Sequence, residues 1–275
     1  MSERAANEGA SRTESTLRVA LGEYDVGWQD PELSLTRAEA IVRDASARGA
    51  QLIVLPEMCA TGFTMDAERW AEPLAGDRAA RLRTAAREAG VWIIAGLATR
   101  DADGAKNAAV VLDPSGDIEA VYYKQKLFGY GGEDRPYEPG DEPVVVTIGG
   151  VRLSPFICYD LRFPELFRAV ARDVDAIVLI ANWPTARRAH WDVLVRARAI
   201  ENQCYLVAVN RTGEGGGIAY DGGSAAYDPW GESLIATGGA VPIVEVRTAE
   251  VDRVRSKFPF LEDLDSVIPD AARPR

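Results

Sequence analysis

Short apolar runs recur along the chain, at LRVALGEY (17–24), QLIVLP (51–56), VWIIAGLA (91–98), NAAVVLD (107–113), IEAVYY (118–123), PVVVTI (143–148), VRLSPFIC (151–158), AIVLIAN (176–182), CYLVAVN (204–210) and VPIVEV (241–246). Runs of this length predict strands, several of them buried on both faces. Amphipathic stretches over 33–48, 77–89, 164–173 and 190–202 read as helices, the last with Trp191, Leu194, Val195, Arg198 and Ala199 at helical spacing. Strands alternating with helices make an α/β chain.

The order of these segments repeats. QLIVLPE at 51 matches AIVLIAN at 176, VWIIAGLA at 91 matches CYLVAVNR at 204, and VVLDPSGDIEAVYY at 110 matches AAYDPWGESLIATG at 225, with offsets of 113 to 125 residues. Each half carries an Asp-Pro-x-Gly turn that predicts a hairpin, because proline presets the first turn position and glycine accepts positive φ. Two related strand-helix units that cover both sheet faces predict an α-β-β-α sandwich with two internally related halves. No composition break or Gly/Ser linker separates them, so residues 17–275 are expected to form a single domain, preceded by a disordered tail over 1–16. Glu57 and Asn182 then fall at equivalent strand ends, where open α/β sheets tend to bind ligands.

Composition narrows the partners. A net charge of −11 disfavours nucleic acid and anionic membrane. No run approaches the ~18 apolar residues of a membrane span, and MSERAANEGASRTEST lacks the apolar segment of a secretion signal, so a cytoplasmic protein is expected. The cysteines at 59, 158 and 204 form no C-x-x-C pair and their odd count argues against a disulfide framework. With His190 the one histidine, a zinc site would be nearly all carboxylate, and no metal or other cofactor is expected.

The chemistry concentrates around SPFICYDLRFPELFR (154–168). Cys158 ends an apolar run just before a helix expected from Pro164, since proline is favoured at a first helical position. A thiol in such a turn feels a positive dipole that lowers its pKa, although a buried structural cysteine is the commoner outcome. Glu57 closes another apolar run, where partial desolvation would raise its pKa toward that of a general base, with a solvated strand end as the alternative. Lys124 and Lys126 would share a face if the strand before them continues, and a strand lysine ordinarily snorkels to water. Glu133 stands in the Gly-rich loop GYGGEDRPYEPG, where a solvated carboxylate is the default. GEGGGIAYDGGS (213–224) lacks nucleotide-loop spacing and reads as a mobile loop. His190 is expected to pack against or cap its helix.

Taken together, LPEMCATGF, YYKQKLF, GGED and FICYDLRFPELFR, in this order, resemble the nitrilase superfamily of carbon-nitrogen hydrolases. The likeness runs from about residue 17 to 265 and includes ANWP (181–184), RARAIENQCYLVAVNR (196–211), DPWGE and KFPFLEDLD. It implies the same α-β-β-α sandwich, assembly into homodimers or larger homo-oligomers, and a Glu-Lys-Cys triad on Glu57, Lys124 and Cys158 with Glu133 as accessory glutamate. The base would then be a carboxylate, Glu57, rather than a histidine. Lys124 and the backbone N–H of Tyr159 would hold the oxyanion, and a thioester would form on Cys158.

Within the superfamily, CYDLRFPELFR, NWP and RARAIENQCYLVAVNR are most similar to the omega-amidases, which implies hydrolysis of 2-oxoglutaramate or 2-oxosuccinamate to the acid and ammonia. A carboxylate-bearing substrate suits a guanidinium, for which Arg162 is the candidate, with an ion pair to Asp160 or a neighbouring carboxylate as its structural alternative. Asn182 and Trp183 are candidates for lining the pocket. Lys126 stands where omega-amidases often have histidine. The alternatives are an amidase for N-carbamoyl amines, deaminated glutathione or aliphatic amides, or an inactive binding or scaffold protein on the same fold.

Overall fold

The computed structural model describes residues 13–235 and 241–266. Strands β1 (Thr16–Leu21), β2 (Leu52–Val54), β3 (Trp92–Asp101), β4 (Gly104–Leu112) and β5 (Ile118–Tyr123) form one sheet, which the late strand β13 (Ile243–Arg247) joins beside β1. The second sheet runs in the order β12 (Ala225–Tyr227), β9 (Tyr205–Val209), β8 (Ala176–Ile180), β7 (Val151–Ile157), β6 (Val146–Ile148). A separate hairpin pairs β10 (Thr212–Gly215) with β11 (Ile218–Asp221).

The internal repeat survives in the topology. β2 runs parallel to β3, which pairs antiparallel with β4; β8 runs parallel to β9, which pairs antiparallel with β12. Both Asp-Pro-x-Gly turns close alike: Asp113 Oδ1 accepts from the N–H groups of Ser115 and Asp117, and Asp228 Oδ1 from those of Trp230 and Glu232. The first turn leads into a full ladder between β4 and β5, whereas the described return of the second is a single bridge from Tyr227 to Ser233.

Period-two alternation sorts the first sheet's side chains between two cores. Leu17, Val19, Leu52, Val54, Ile94 and Val111 face the second sheet, while Ala20, Ile53, Ile93 and Val110 pack under α1 (Pro31–Ala47) and α3 (Asp77–Ala89). A short helix α2 (Ala67–Trp70) lies between those two in sequence. On the far side α4 (Pro164–Val170), α5 (Arg188–Asn202) and α6 (Thr248–Lys257) contribute Phe167, Trp191, Val195 and Val251 to the larger core. The layers are therefore α-β-β-α, as the repeat implied. No helix among the described residues is long and apolar enough to cross a membrane.

Several expectations change. Of the expected tail over 1–16, residues 1–12 lie outside the described residues, but Thr16 opens β1 and the Ser15 N–H donates to Thr248 Oγ1 at 2.9 Å. Residues 267–275 of the expected domain also lie outside the described residues. α1 starts at Pro31 rather than 33, because Asp30 caps it by accepting from the Leu33 N–H. The glycine-rich stretch 213–224 is not simply a loop, since four residue pairs join β10 to β11. Helix α6 was not anticipated; its buried side chains are Thr248, Val251 and Val254, too few to show helical periodicity.

One close approach ties the fold to the region around Glu57. Beyond β2 the chain continues along β3, with the Leu55 N–H donating to the Ile94 carbonyl and the Gly96 N–H to the Pro56 carbonyl. A Cβ at Gly96 would lie 2.4 Å from Glu57 Cα and 2.6 Å from Pro56 O and Met58 N, all backbone atoms that cannot yield separately. Gly96→Ala is expected to lower stability by about 1–3 kcal/mol in urea unfolding. An unchanged unfolding midpoint would show that the two segments are not held this closely.

Candidate active site

Glu57 follows β2, Lys124 follows β5, Glu133 lies in the loop beyond it and Cys158 follows β7, so four separate chain segments meet between the sheets. Glu57, Lys124 and Glu133 are wholly buried. Lys124 Nζ donates to Glu57 Oε1 at 2.9 Å and to Glu133 Oε1 and Oε2 at 3.0 and 2.9 Å. Asn107, on β4, spans both carboxylates, its Nδ2 donating at 2.7 Å to Glu57 Oε1 and at 2.7 Å to Glu133 Oε1. The N–H groups of Asn182 and Phe128 complete the frame, donating to Glu57 Oε2 at 2.8 Å and to Glu133 Oε2 at 2.6 Å.

Two sequence expectations about these side chains give way. Lys124 does not snorkel, because the strand stops at Tyr123 and the next residue turns inward onto two carboxylates; Lys126 is exposed on the other side. Glu133 is not a solvated loop carboxylate, since Lys124, Asn107 and the Phe128 N–H draw it into the interior.

Cys158 is half-buried at the start of a 3-10 turn over Cys158–Arg162, with φ at +46°. This left-handed backbone is costly for a residue with a side chain and is held by its surroundings. Its Sγ lies 3.9 Å from the Asn182 carbonyl oxygen. The N–H of Tyr159 falls in the first turn of the 3-10 segment, where a helical N–H has no intrahelical acceptor.

The electrostatics also differ from expectation. Burial raises the Cys158 thiol well above its ordinary pKa, and the charges of Glu57 and Glu133 add to this more than Lys124 relieves it. Burial first, and the carboxylates after it, therefore favour the neutral thiol over the lowered pKa expected for a cysteine in such a turn. Burial also pushes Glu57 up, yet Lys124, Asn107 and the Asn182 N–H together hold it below its usual range, not above. Lys124 is disfavoured by burial but kept charged by Glu133 and Glu57. The cluster thus pairs a protonated thiol with a proton-free carboxylate. Cys59 and Cys204 are buried away from this cluster, and burial pushes both thiols up to about 12.

A cavity of about 180 Å³ opens beside Cys158. Tyr159, Arg162, Asn182 and Trp183 all line it, as do Arg187 and Tyr220, which the sequence reading missed. Asn182 also holds Glu57, donating through Nδ2 to its carbonyl oxygen at 2.6 Å. Trp183 is walled in by a bond from its Nε1 to the Arg187 carbonyl. Arg162 makes no ion pair with Asp160; its guanidinium lies over the Trp183 ring at 4.9 Å, and Nη2 is 3.1 Å from His190 Nδ1. His190 is exposed, on α5, and is not part of the buried cluster.

The comparisons with known proteins follow the geometry. The sequence pattern of the carbon-nitrogen hydrolases matches residues 18–257. The chain belongs to the carbon-nitrogen hydrolase family. It is 35% identical over 255 residues to the omega-amidase YafV of Escherichia coli K12, covering 90% of this chain and 97% of the relative. It is 32% identical over 247 residues to the 2-oxoglutaramate amidase of Bacillus subtilis, covering 88% and 95%. XC1258 from Xanthomonas campestris, a protein of the same superfamily with an arsenic adduct in its active site, superposes with a TM-score of 0.85 at 34% identity over 92% of this chain and 99% of its own. A variant of the amidase from Nesterenkonia sp. AN1, with an acetamide moiety covalently added at the active-site cysteine, superposes at 0.78 with 28% identity over 92% and 95%. These relatives make this carbon-nitrogen hydrolase an amidase.

A third buried carboxylate, Asp160, joins the segments of the hydrolase that carry Cys158 and Lys124. Asp160 accepts from the Ile157 N–H at 3.0 Å and the Tyr122 hydroxyl at 2.8 Å through Oδ2, and from the Lys126 N–H at 2.9 Å through Oδ1. Lys126 thus serves through its backbone; its ammonium rests 5.6 Å from the Phe163 ring. Burial pushes the Asp160 carboxyl up to about 6, against the pull of Lys124 and its three donors. A folded-state value above the unfolded one gives a contribution that is full below about pH 4 and lost as the pH rises through about 6, about 3 kcal/mol in all. Asp160→Asn is expected to abolish this slope in urea unfolding between pH 4 and pH 7. It should also cost about 1–3 kcal/mol, because an amide cannot offer acceptors to all three donors. A slope retained in the variant would place its origin elsewhere.

Proposed function

We propose that the hydrolase cleaves a small carboxylate-bearing amide to its acid and ammonia through a thioester on Cys158. The observation that carries this reading is the buried cluster in which Lys124 binds both Glu57 and Glu133, while Asn182 donates its N–H to Glu57 and places its carbonyl oxygen 3.9 Å from the Cys158 Sγ. A neutral thiol is a weak nucleophile until a base removes its proton, and Glu57 is the carboxylate whose charge acts on it most strongly.

In the first step Glu57 takes the Sγ proton as sulfur attacks the amide carbon, and the carbonyl oxygen gains the negative charge. Lys124 supports that oxygen: two of its three donors go to Glu133, and keeping one of them there frees the other for substrate. The Tyr159 N–H is the second donor, and each is worth about 3 kcal/mol in comparable sites. As charge reaches the oxyanion, Lys124 pulls less on Glu57, whose basicity rises when it must hold the proton. Glu57 then delivers that proton to the departing nitrogen, the carbon–nitrogen bond breaks and ammonia leaves. Water attacks the thioester, with Glu57 taking its proton, and the carbon–sulfur bond breaks to give the acid and restore the thiol. Glu133 and Asn107 keep Lys124 and Glu57 in register throughout.

The relatives named for omega-amidase and 2-oxoglutaramate amidase activity support 2-oxoglutaramate or 2-oxosuccinamate as substrate. Arginines in a cavity beside the thiol suit such an anion. Exposed Val193 and Ile200 on α5, with Trp230 and Phe260 nearby in the second half, support assembly into homodimers or larger homo-oligomers.

Ammonia release from 2-oxoglutaramate, glutamine, N-carbamoylputrescine and an aliphatic amide tests the reading. Release led by 2-oxoglutaramate and absent in Cys158→Ala is expected. Release led by another amide would overturn the substrate, and none that depends on Cys158 would overturn the chemistry. Glu57→Gln is expected to fold and to lose at least about 100-fold in kcat; full retained turnover would remove Glu57 as the base.

A further inference from the structure

The cavity beside Cys158 carries two guanidinium groups, and they are held differently. Arg162 is already engaged at the outer end, stacked on Trp183 and in contact with the exposed His190. Arg187 comes from the other side, from a 3-10 turn over Thr185–Arg187, with its guanidinium carbon 5.1 Å from the centroid of Phe128. Phe128 is the residue whose N–H donates to Glu133, so Arg187 lies against the wall that supports the buried cluster. The almost fully buried Tyr220 lines the same cavity as Arg187 and Cys158.

Neither arginine forms an ion pair among the described residues, and no carboxylate is among the residues that line the cavity. Other half-buried arginines of this chain either face a carboxylate, as Arg78, Arg152 and Arg198 do, or donate to backbone carbonyls, as Arg168 and Arg255 do, whereas the Arg187 guanidinium has neither kind of partner among the described residues. An arginine without a counter-charge in a largely aromatic cavity favours an anionic ligand, and its planar donors match a carboxylate in bidentate fashion.

We propose that Arg187 binds the carboxylate of the amide substrate, and that Arg162 shapes the rim of the cavity without being the main anchor. The proposal rests on the amidase reading and narrows its substrates to amides with an anionic group on the far side of the carbonyl from the leaving nitrogen. A neutral amide would then lack the contact that orients it over Cys158.

The test has two readouts. Glutarate, the acid that hydrolysis of glutaramate would release, is titrated calorimetrically into Cys158→Ala and into the same variant carrying Arg187→Met, Arg187→Lys or Arg162→Met. Arg187→Met is expected to weaken binding at least 20-fold, Arg187→Lys less, and Arg162→Met under threefold. Equal binding with and without Arg187, including none in either, overturns the proposal, as does a loss carried by Arg162 alone. In turnover, the ratio of kcat/KM for glutaramate over pentanamide is expected to fall about 100-fold in Arg187→Met, mainly through KM for glutaramate. An equal loss on both amides would mark a structural role and overturn it. Cys158-independent or absent hydrolysis by the wild type would overturn the amidase reading, while glutarate binding still decides the assignment of Arg187.

Discussion

A single buried ammonium organises this molecule. Lys124 sits fully enclosed between Glu57 and Glu133, and none of the three charges could be buried alone without a large desolvation cost. Each partner comes from a different segment, so the ion cluster forms only when the first sheet and the loop after β5 are in place. Asn107 and the N–H groups of Asn182 and Phe128 satisfy the remaining carboxylate oxygens, which is what makes the burial tolerable. The cluster is at once a structural joint and the place where chemistry can occur.

The same joint sets the state of the thiol. Burial, and beyond it the charges of Glu57 and Glu133, which outweigh that of Lys124, disfavour a thiolate at Cys158. In the proposed reaction, activation is therefore tied to the charge that develops on the substrate. This is a different solution from a cysteine ionised at rest by a helix dipole or a neighbouring histidine, and His190 is exposed on a helix flank, outside the cluster.

Much of the site could be read in the chain because its residues interrupt patterns. Glu57 ends an apolar run, Cys158 ends another, and the matching halves put Glu57 and Asn182 at equivalent strand ends, which meet in a contact at 2.8 Å. Asn107 and Asp160 gave no such signal. One lies within a strand and the other in a charged stretch, and only their burial and their several hydrogen bonds distinguish them from ordinary polar residues. Arg187 was hidden by its neighbour Arg188, which does pair with Asp192 and Asp221, as a surface arginine would. The direction of the Glu57 shift was likewise illegible, since it depends on how close three separate donors come.

The sequence by itself determined the α/β alternation and the duplicated order of strands, because hydrophobic period and turn chemistry are local properties of the chain. Tertiary structure alone decided the direction in which the titrating groups are shifted, the inward turn of Lys124, the close approach at Gly96 and the placing of Arg187 in the cavity beside Cys158. Those depend on distances of a few ångströms between segments as many as 125 residues apart. Charge and desolvation act through space, and no spacing along the chain encodes them.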